Sequence, residues 1–222
     1  MHQGKLIVIE GLDGSGKATQ TALLAQALQA RKAPVKQITF PNYASDSSAL
    51  VKMYLSGQFG SHPDDVNAYA ASVLYTVDRF ASYKTAWGEF YSSGGIVIAD
   101  RYTTSNAVHQ CSKLPRDKWP EYLEWLFDFE YNKVAIPKPD LVIYLQVEPA
   151  VSQKLMTGRY HGDESKKDIH EKDVEYLARS QAAAAYCAEH LGWAKVDCCM
   201  ADSMRPIDEI HKDIMKAVDD IL

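Results

Sequence analysis

The stretch "IEGLDGSGKATQ", residues 9–20, decides the fold. It follows an apolar run, "KLIVIE" at 5–10, and leads into residues with helical spacing. Gly11 and Gly16 bracket four residues and Lys17 follows, which is the GxxxxGK pattern in its strand-to-helix context. Such a loop wraps backbone amides around phosphate oxygens, and the lysine adds a full charge. A glycine-rich turn with a surface lysine is the alternative, and the strand before the loop and the helix after it argue against it.

One position departs from the pattern. A Ser or Thr hydroxyl that holds Mg²⁺ is expected directly after the lysine, and Ala18 stands there. Thr19 is adjacent, but neighbouring helix positions point about 100° apart, so it cannot simply substitute. Because Mg²⁺ keeps several waters and is often held by the nucleotide's own phosphates, we expect a weakened but working site.

Five short runs rich in β-branched residues predict strands: 5–10, 35–40, 95–100, 140–147 and 193–198. Their apolar positions are nearly continuous rather than alternating, which is typical of parallel strands buried on both faces. Stretches with helical spacing separate them, so the predicted class is α/β. One predicted helix, from Pro63 to Phe90, has Tyr69, Val73, Val77 and Phe80 along one side.

Composition limits the function. A chain of 222 residues with 46% hydrophobic residues is expected to form a single domain over 1–222. The net charge of −5 gives no support for binding nucleic acid or an anionic membrane surface. The four cysteines match neither a zinc site nor a disulfide framework, and no apolar stretch approaches the roughly 20 residues that span a bilayer. We expect a soluble cytoplasmic protein.

Asp100 and Arg101 end another predicted strand, in "GGIVIADRYTTSN". Ligands of open α/β sheets bind at the carboxyl ends of the strands. There, Asp100 could orient metal-bound water, and Arg101 could hold a phosphate bidentately and neutralise its charge during transfer. A structural ion pair at the strand end is the alternative.

The order of motifs along nearly the whole chain resembles the thymidylate kinase family. The motifs are "EGLDGSGK", "FP" at 40–41, "LYTVDRF", "DRYTTSN", "PDLVIYL" and the charged "GRYHGDESKKD". This resemblance implies a three-layer P-loop fold with a five-stranded parallel sheet of order 2-3-1-4-5. It also implies transfer of the ATP γ-phosphoryl group to dTMP, with Mg²⁺, in a homodimer. An acceptor-binding segment at about 40–80 and a mobile lid at about 157–168 follow from the same resemblance.

The resemblance also assigns residues. The ATP site comprises the loop residues Gly11, Leu12, Asp13, Gly14, Ser15, Gly16, Lys17, Ala18 and Thr19. The dTMP site comprises Asp13, Phe40, Tyr75, Arg79, Arg101, Ser105, Asn106 and His109. The catalytic group comprises Lys17, Arg101, Arg159 and Asp13, with Asp100 as the metal residue.

Most roles that the resemblance implies have an alternative in which the residue contacts no ligand. Asp13 touches the acceptor sugar, or is only a helix N-cap. Tyr75 stacks on thymine and Arg79 donates to its carbonyl oxygen, or the two are a core aromatic and a solvated arginine. Phe40 forms an apolar wall, or is ordinary core.

The remaining implied roles lie in two later segments. Ser105 and Asn106 lie near the base edge, and His109 crowds the sugar 2′ position or is structural. Arg159, in the lid-like loop, supplies the catalytic charge that the P-loop lacks, or is merely solvated.

Two departures from the family pattern bear on activity. Ala18 weakens metal anchoring, and no arginine follows Pro41, where Tyr43 stands near the position that holds the acceptor phosphate. A deoxynucleoside kinase, which shares the P-loop and an acid-Arg motif and would use Glu10 as the base for a neutral hydroxyl, is one alternative. A degenerate homologue that binds nucleotide with weak transfer is another. An ATPase of a different P-loop group leaves the spacing of "LYTVDRF" unexplained.

Overall fold

The computed structural model describes residues 4–148, 150–152, 155 and 169–222. Its centre is a parallel sheet in the order β2-β3-β1-β4-β5. The strands are β1 (Lys5–Glu10), β2 (Val35–Thr39), β3 (Ile96–Asp100), β4 (Leu141–Gln146) and β5 (Ala194–Asp197). All five predicted strands and the predicted order 2-3-1-4-5 are confirmed.

The register of the sheet brings the two predicted phosphate-binding segments side by side. Ile9 of β1 lies opposite Asp100 of β3, and Arg101 donates its backbone N–H to the carbonyl of Ile9 at 3.2 Å. The loop after β1 and the strand end at Asp100 therefore share one edge of the sheet, where ligands of open α/β folds bind.

Helices cover both faces of the sheet. They are α1 (Lys17–Ala30), α2 (Ala49–Leu55), α3 (Ala68–Ser82), α4 (Gly88–Ser92), α5 (Thr103–Cys111), α6 (Trp119–Phe127), α7 (Ile169–Lys172), α8 (Val174–His190) and α9 (Ile207–Asp219). Successive side chains of β1 alternate between the two layers, which is why nearly every residue of the strand is apolar. Ile7 and Ile9 pack with α1 and α9, whereas Leu6 and Val8 pack beneath Tyr102.

The region predicted as one helix from 63 to 90 is divided. Helix α3 begins after Asn67, whose side-chain oxygen accepts from the N–H of Ala70, and a π-helical turn (Tyr83–Trp87) links it to α4. A second π-helical turn, Asp128–Lys133, follows α6. Such turns place residues off the normal helical register and frequently occur at functional sites.

The apolar side of α3 faces outward. Tyr69, Val73, Val77 and Phe80 are 39–44% exposed. The buried side is largely polar and includes Ser72, Thr76, Asp78 and Arg79. This arrangement is the reverse of an ordinary amphipathic surface helix, so the inward side has a role other than apolar packing.

Two features complete the described chain. A short hairpin, β6 (Cys199–Met200) with β7 (Ser203–Met204), connects β5 to α9. The Phe40–Pro41 peptide bond after β2 is cis. Across the residues that the structure describes, none of the helices is both long enough and apolar enough to pass through a bilayer.

Candidate active site

The loop between β1 and α1 has the backbone of a phosphate cradle. Gly14 and Gly16 have φ values of 78° and 83°, in the left-handed region that glycine adopts without strain. Ser15 donates its N–H to the carbonyl of Leu12 at 3.2 Å, and α1 begins directly after Gly16. The first N–H groups of a helix have no acceptor within the helix, so the start of α1 can bind an anion held by the loop.

Close packing explains why a glycine opens the loop. A Cβ at Gly11 would lie 2.5 Å from Ser15 Oγ and 3.1 Å from the carbonyl oxygen of Leu145. Ser15 Oγ is itself buried and has no hydrogen-bond partner among the described residues. A buried hydroxyl without a partner is costly, and phosphate oxygens in the cradle would supply acceptors for it.

Lys17 lies over this loop. Its Nζ donates to the carbonyl of Leu12 at 2.8 Å and lies 4.0 Å from Asp13 Oδ1. Burial, followed by the nearby positive charge of Arg101, lowers the pKa of Lys17 to about 8. The negative charge of a bound polyphosphate would favour the ammonium form and raise this pKa again, so the site favours a strongly anionic ligand.

The position where the family pattern has a hydroxyl is exposed to solvent. Ala18 and Thr19 are both exposed, so neither is part of the packed core. Asp100 is half-buried at the end of β3, and its negative charge acts to raise the pKa of both Lys17 and Arg101. No group of three or more His, Cys, Asp or Glu side chains in the described ranges could hold a metal ion by itself.

Arg101 connects the strand end to the loop. Its Nη2 donates to Asp13 Oδ1 at 2.5 Å, and its Nη1 lies 3.7 Å from Glu10 Oε1. Its backbone has a φ of 67°, a conformation that costs a non-glycine residue energy and commonly marks a functional constraint. The structure thus brings the predicted residues Asp13, Lys17 and Arg101 together.

The charges of this group stabilise one another. Burial alone would raise the pKa of Asp13, but Arg101 and Lys17 hold it well below its usual range. Burial alone would lower the pKa of Arg101, but Asp13 and Glu10 raise it above its usual value. The carboxylate is therefore ionised and the guanidinium charged at every physiological pH.

Glu10 is a buried anchor. Its carboxylate accepts from the N–H of Gly11 at 3.0 Å, from Thr104 Oγ1 at 2.6 Å and from Ser105 Oγ at 2.8 Å. These contacts fix the start of the loop and the first turn of α5 relative to each other. They also occupy the carboxylate that a deoxynucleoside kinase would need as its base.

His109 contacts Arg101 rather than standing alone. Its Nε2 lies 3.3 Å from Arg101 Nη1, and its Nδ1 lies 3.2 Å from the hydroxyl of Tyr176. Since arginine only donates, Nε2 must accept and the proton belongs on Nδ1. Burial, followed by Arg101, lowers the pKa of His109 to about 3. The ring of His170 stacks on it at 5.8 Å, and that contact was not predicted.

A second polar cluster surrounds Glu130, a residue that no motif in the sequence had indicated. Thr76 Oγ1 donates to Glu130 Oε1 at 2.8 Å, Arg79 Nε donates to Oε2 at 3.3 Å, and Arg79 Nη2 donates to Oε1. The amide of Asn106 donates to the same Oε1 at 3.5 Å. Arg79 is only 1% exposed. The alternative of a solvated arginine is therefore wrong for this residue.

The two predicted aromatic residues lie apart. Phe40 is buried and packs against Tyr102, with ring centroids 5.8 Å apart. Tyr75 is half-buried and meets the ring of Tyr54 edge-on at 6.3 Å. The predicted Arg159, like the rest of the segment 157–168, lies outside the described residues.

Asp78 was also missed. Its Oδ2 accepts from the N–H of Asn42 at 2.7 Å, and its Oδ1 accepts from Ser47 Oγ at 2.6 Å. It therefore ties the segment after Pro41 to the inward side of α3. In the sequence, Asp78 is simply an acidic residue on the polar side of a predicted amphipathic helix. Such a residue is normally solvated, so the sequence pattern alone could not show that Asp78 is buried.

Comparisons with known proteins agree with this geometry. A family model described as thymidylate kinase matches residues 9–214. A thymidylate kinase of Mycobacterium tuberculosis is 31% identical over 190 residues, which cover 85% of this chain and 87% of that protein. The human thymidylate kinase is 26% identical over 227 aligned positions, covering 100% of this chain and 92% of that protein.

A solved structure shares the fold. The thymidylate kinase of Candida albicans superposes with a TM-score of 0.72 at 22% identity, covering 98% of this chain and 92% of that one. The cradle, the parallel sheet and the paired Asp13 and Arg101 define an ATP-dependent nucleoside monophosphate kinase of the P-loop class. More specifically, the chain belongs to the thymidylate kinase family.

Proposed function

We propose that this protein transfers the γ-phosphoryl group of ATP to dTMP, giving dTDP and ADP. The observation that supports this most directly is the convergence of Lys17 and Arg101 on Asp13, which joins the phosphate cradle to the end of β3. In the proposal, ATP phosphates lie along the loop from Gly11 to Thr19, and dTMP enters beside Arg101. The cluster around Arg101 then binds the phosphate of dTMP, and the cluster around Glu130, which includes Arg79 and Asn106, binds its base.

The chemistry needs positioning and positive charge rather than a base. A nucleotide phosphate is already an ionised nucleophile, and the transferring group has a loose transition state with its charge spread over its oxygens. Lys17 and Arg101 neutralise that charge from the two sides, while Asp13 fixes Arg101. The occupied carboxylate of Glu10 favours this reaction over phosphorylation of a neutral hydroxyl.

The proposed cofactor is Mg²⁺. The available donors fit an ion held mainly by ATP phosphates and water, because Ala18 offers no oxygen and Asp100 is a half-buried carboxylate at the correct strand end. Asp100 would hold the ion through water. When bound, the ion would neutralise the charge that develops on the phosphates.

The remaining assignments belong to the same proposal. Residues 40–80 form the acceptor segment and 157–168 the lid, within one kinase domain over 1–222. Arg159 supplies charge from the lid in the transition state. Phe40 and Tyr75 flank the thymine ring, while Arg79 and Asn106 contact its polar edge.

We also propose a cytoplasmic homodimer. All four cysteines are free thiols, which fits a reducing compartment. The outward apolar side of α3 supports the dimer, because exposed apolar surface of this kind commonly marks a protein interface.

A coupled assay of ADP release tests the function. We expect release to require dTMP and Mg²⁺, and to be near background with thymidine as acceptor. Lys17→Ala should lose at least 100-fold in kcat/KM, since the charge acts on the transferring group. Equal turnover with thymidine would favour the deoxynucleoside kinase, and tight ATP binding without acceptor-dependent release would favour the degenerate homologue.

A further inference from the structure

Glu130 is a completely buried carboxylate between the two residues proposed to read the acceptor base. It lies in the π-helical turn after α6 and is 0% exposed. An ionised carboxylate only accepts hydrogen bonds. Every group that Glu130 touches in this cluster, on Thr76, Arg79 and Asn106, must therefore direct a donor at it.

This requirement fixes the orientation of the Asn106 amide. Its Nδ2 donates both to Glu130 Oε1 at 3.5 Å and to the backbone carbonyl of Ser72 at 3.3 Å. A rotation of the amide by 180° would place Oδ1 against two acceptors, which is repulsive. Oδ1 is therefore held on the side of the amide away from Glu130, as an acceptor.

The same carboxylate fixes the position of Arg79, whose guanidinium can only donate. A guanidinium has five N–H groups. Two donate to Glu130, one to Thr76 Oγ1 at 3.5 Å and one, on Nη1, to the carbonyl of Tyr102 at 3.4 Å. Among the described residues this leaves one Nη1–H of Arg79 without an acceptor, so Arg79 can offer a ligand only a donor.

We propose that Glu130 is a specificity-determining positioning residue for the acceptor base. By holding Asn106 and Arg79 it makes the site present one acceptor and one donor, and this inference rests on the proposed function. Thymine and uracil offer the complementary pair, an N3–H and a 4-carbonyl. Cytosine offers the reverse, an N3 lone pair and a 4-amino group, and would meet like against like at both positions.

Glu130→Gln is the decisive variant. The new amide can place an NH₂ donor where an acceptor oxygen stood, so one of the two acceptors that oppose rotation of the Asn106 amide is lost and only the carbonyl of Ser72 remains. Rotation of Asn106, which presents its own NH₂ to the ligand, therefore becomes less costly. We expect the ratio of kcat/KM for dTMP to kcat/KM for dCMP to fall at least tenfold, because a site built to pair polar groups rejects a mismatch strongly only while its polarity is fixed. KM for ATP should stay unchanged.

A matched control separates this effect from loss of an acid. Glu124 lies on the exposed side of α6, so Glu124→Gln should leave the ratio at the wild-type value. A fall in turnover with both acceptors at a constant ratio would make Glu130 a structural residue only and would overturn the proposal.

Two further measurements test the proposal even if the Glu130→Gln variant does not fold. Glu130→Asp keeps the charge but withdraws the carboxylate by one methylene, so its ratio should lie between those of the wild type and Gln. In the wild type, dTMP methylated at N3 should lose at least tenfold in kcat/KM, and equal use of it would contradict the fixed acceptor. If the wild type showed no dTMP-dependent ADP release, the proposed function itself would fail, which is a different result from an unchanged ratio.

Discussion

Arg101 Nη2 lies 2.5 Å from Asp13 Oδ1, and Lys17 Nζ lies 4.0 Å from the same oxygen. One carboxylate thus holds the guanidinium of the residue after β3 and the ammonium of the first residue of α1 close to each other. Two cations so close together repel each other, and Asp13 offsets that repulsion before any ligand arrives. Phosphates that enter the site find both charges already oriented, which is the preorganisation that phosphoryl transfer requires.

Arg101→Lys should therefore be damaging although the charge is kept. The planar guanidinium contacts Asp13, Glu10 and His109 at once, and a single ammonium cannot reproduce that geometry. We expect kcat/KM for dTMP to fall by about 100-fold or more, as removal of one oriented donor typically does. Steady-state assays with Arg116→Lys as the exposed control test this prediction. Near-normal turnover in Arg101→Lys would argue that only the charge matters.

Lys17 should destabilise the ligand-free protein. Burial lowers its pKa from 10.5 to about 8. Below pH 8 its ammonium group is therefore charged but poorly hydrated in the folded state, whereas it is well hydrated in the unfolded state. Lys17→Met should raise the free energy of unfolding at pH 7 by about 1–3 kcal/mol, taking about 1.4 kcal/mol for each pKa unit. Urea titrations measure this.

The direction in which wild-type stability changes with pH follows from which state binds more protons at Lys17. Between pH 8 and 10.5 the unfolded chain binds more protons at Lys17 than the folded chain, so wild-type stability rises with pH there. The gap between wild type and Lys17→Met should narrow over this window and vanish above it. A gap that is constant with pH would show that the effect comes from packing rather than from the charge.

The sequence alone predicts the sheet well because buried parallel strands leave a distinctive apolar pattern. It predicts the loop because glycine and lysine spacing follow directly from phosphate geometry. The orientation of α3 could not be predicted, since a stripe such as Tyr69, Val73 and Val77 has the same period whether it faces the core or the outside. Glu130 was missed because its partners come from α3 and α5, distant in sequence, and only the packed fold brings them together.

The buried histidines should make the protein acid-sensitive. The pKa of His109 is lowered to about 3 and that of His170 lies well below its usual value, mainly because of burial. As pH falls below about 6.5, the unfolded chain takes up protons that the folded chain refuses, so stability declines. For His109 this amounts to roughly 2 kcal/mol between pH 7 and pH 5.

His109→Gln and His170→Gln test this through the slope of stability against pH. Each should flatten the decline between pH 7 and pH 5, whatever its effect on stability at pH 7. His190 is exposed at the end of α8, so His190→Gln is the matched control and should leave the slope unchanged. An equally steep decline in all three variants would place the acid sensitivity elsewhere in the molecule.

The outward side of α3 predicts the oligomeric state. Tyr69, Val73, Val77 and Phe80 extend over about three turns, roughly 17 Å of helix, and are 39–44% exposed. A two-fold axis across this stripe would pair it with itself in a second copy, since the interface of a symmetric dimer uses the same patch twice. The wild type should therefore sediment at twice the 24.8 kDa chain mass.

Val77→Lys should shift that mass to a single chain at micromolar concentration. A cation at the centre of the interface would be desolvated opposite its own symmetry mate, which costs more than the lost apolar contact. The variant should unfold at nearly the wild-type temperature when dilute, because the side chain is exposed in the single chain. Ile207→Lys, at an exposed apolar position on α9, should remain dimeric. A wild type that sediments as one chain, or a Val77→Lys protein that stays dimeric, would exclude this face as the interface.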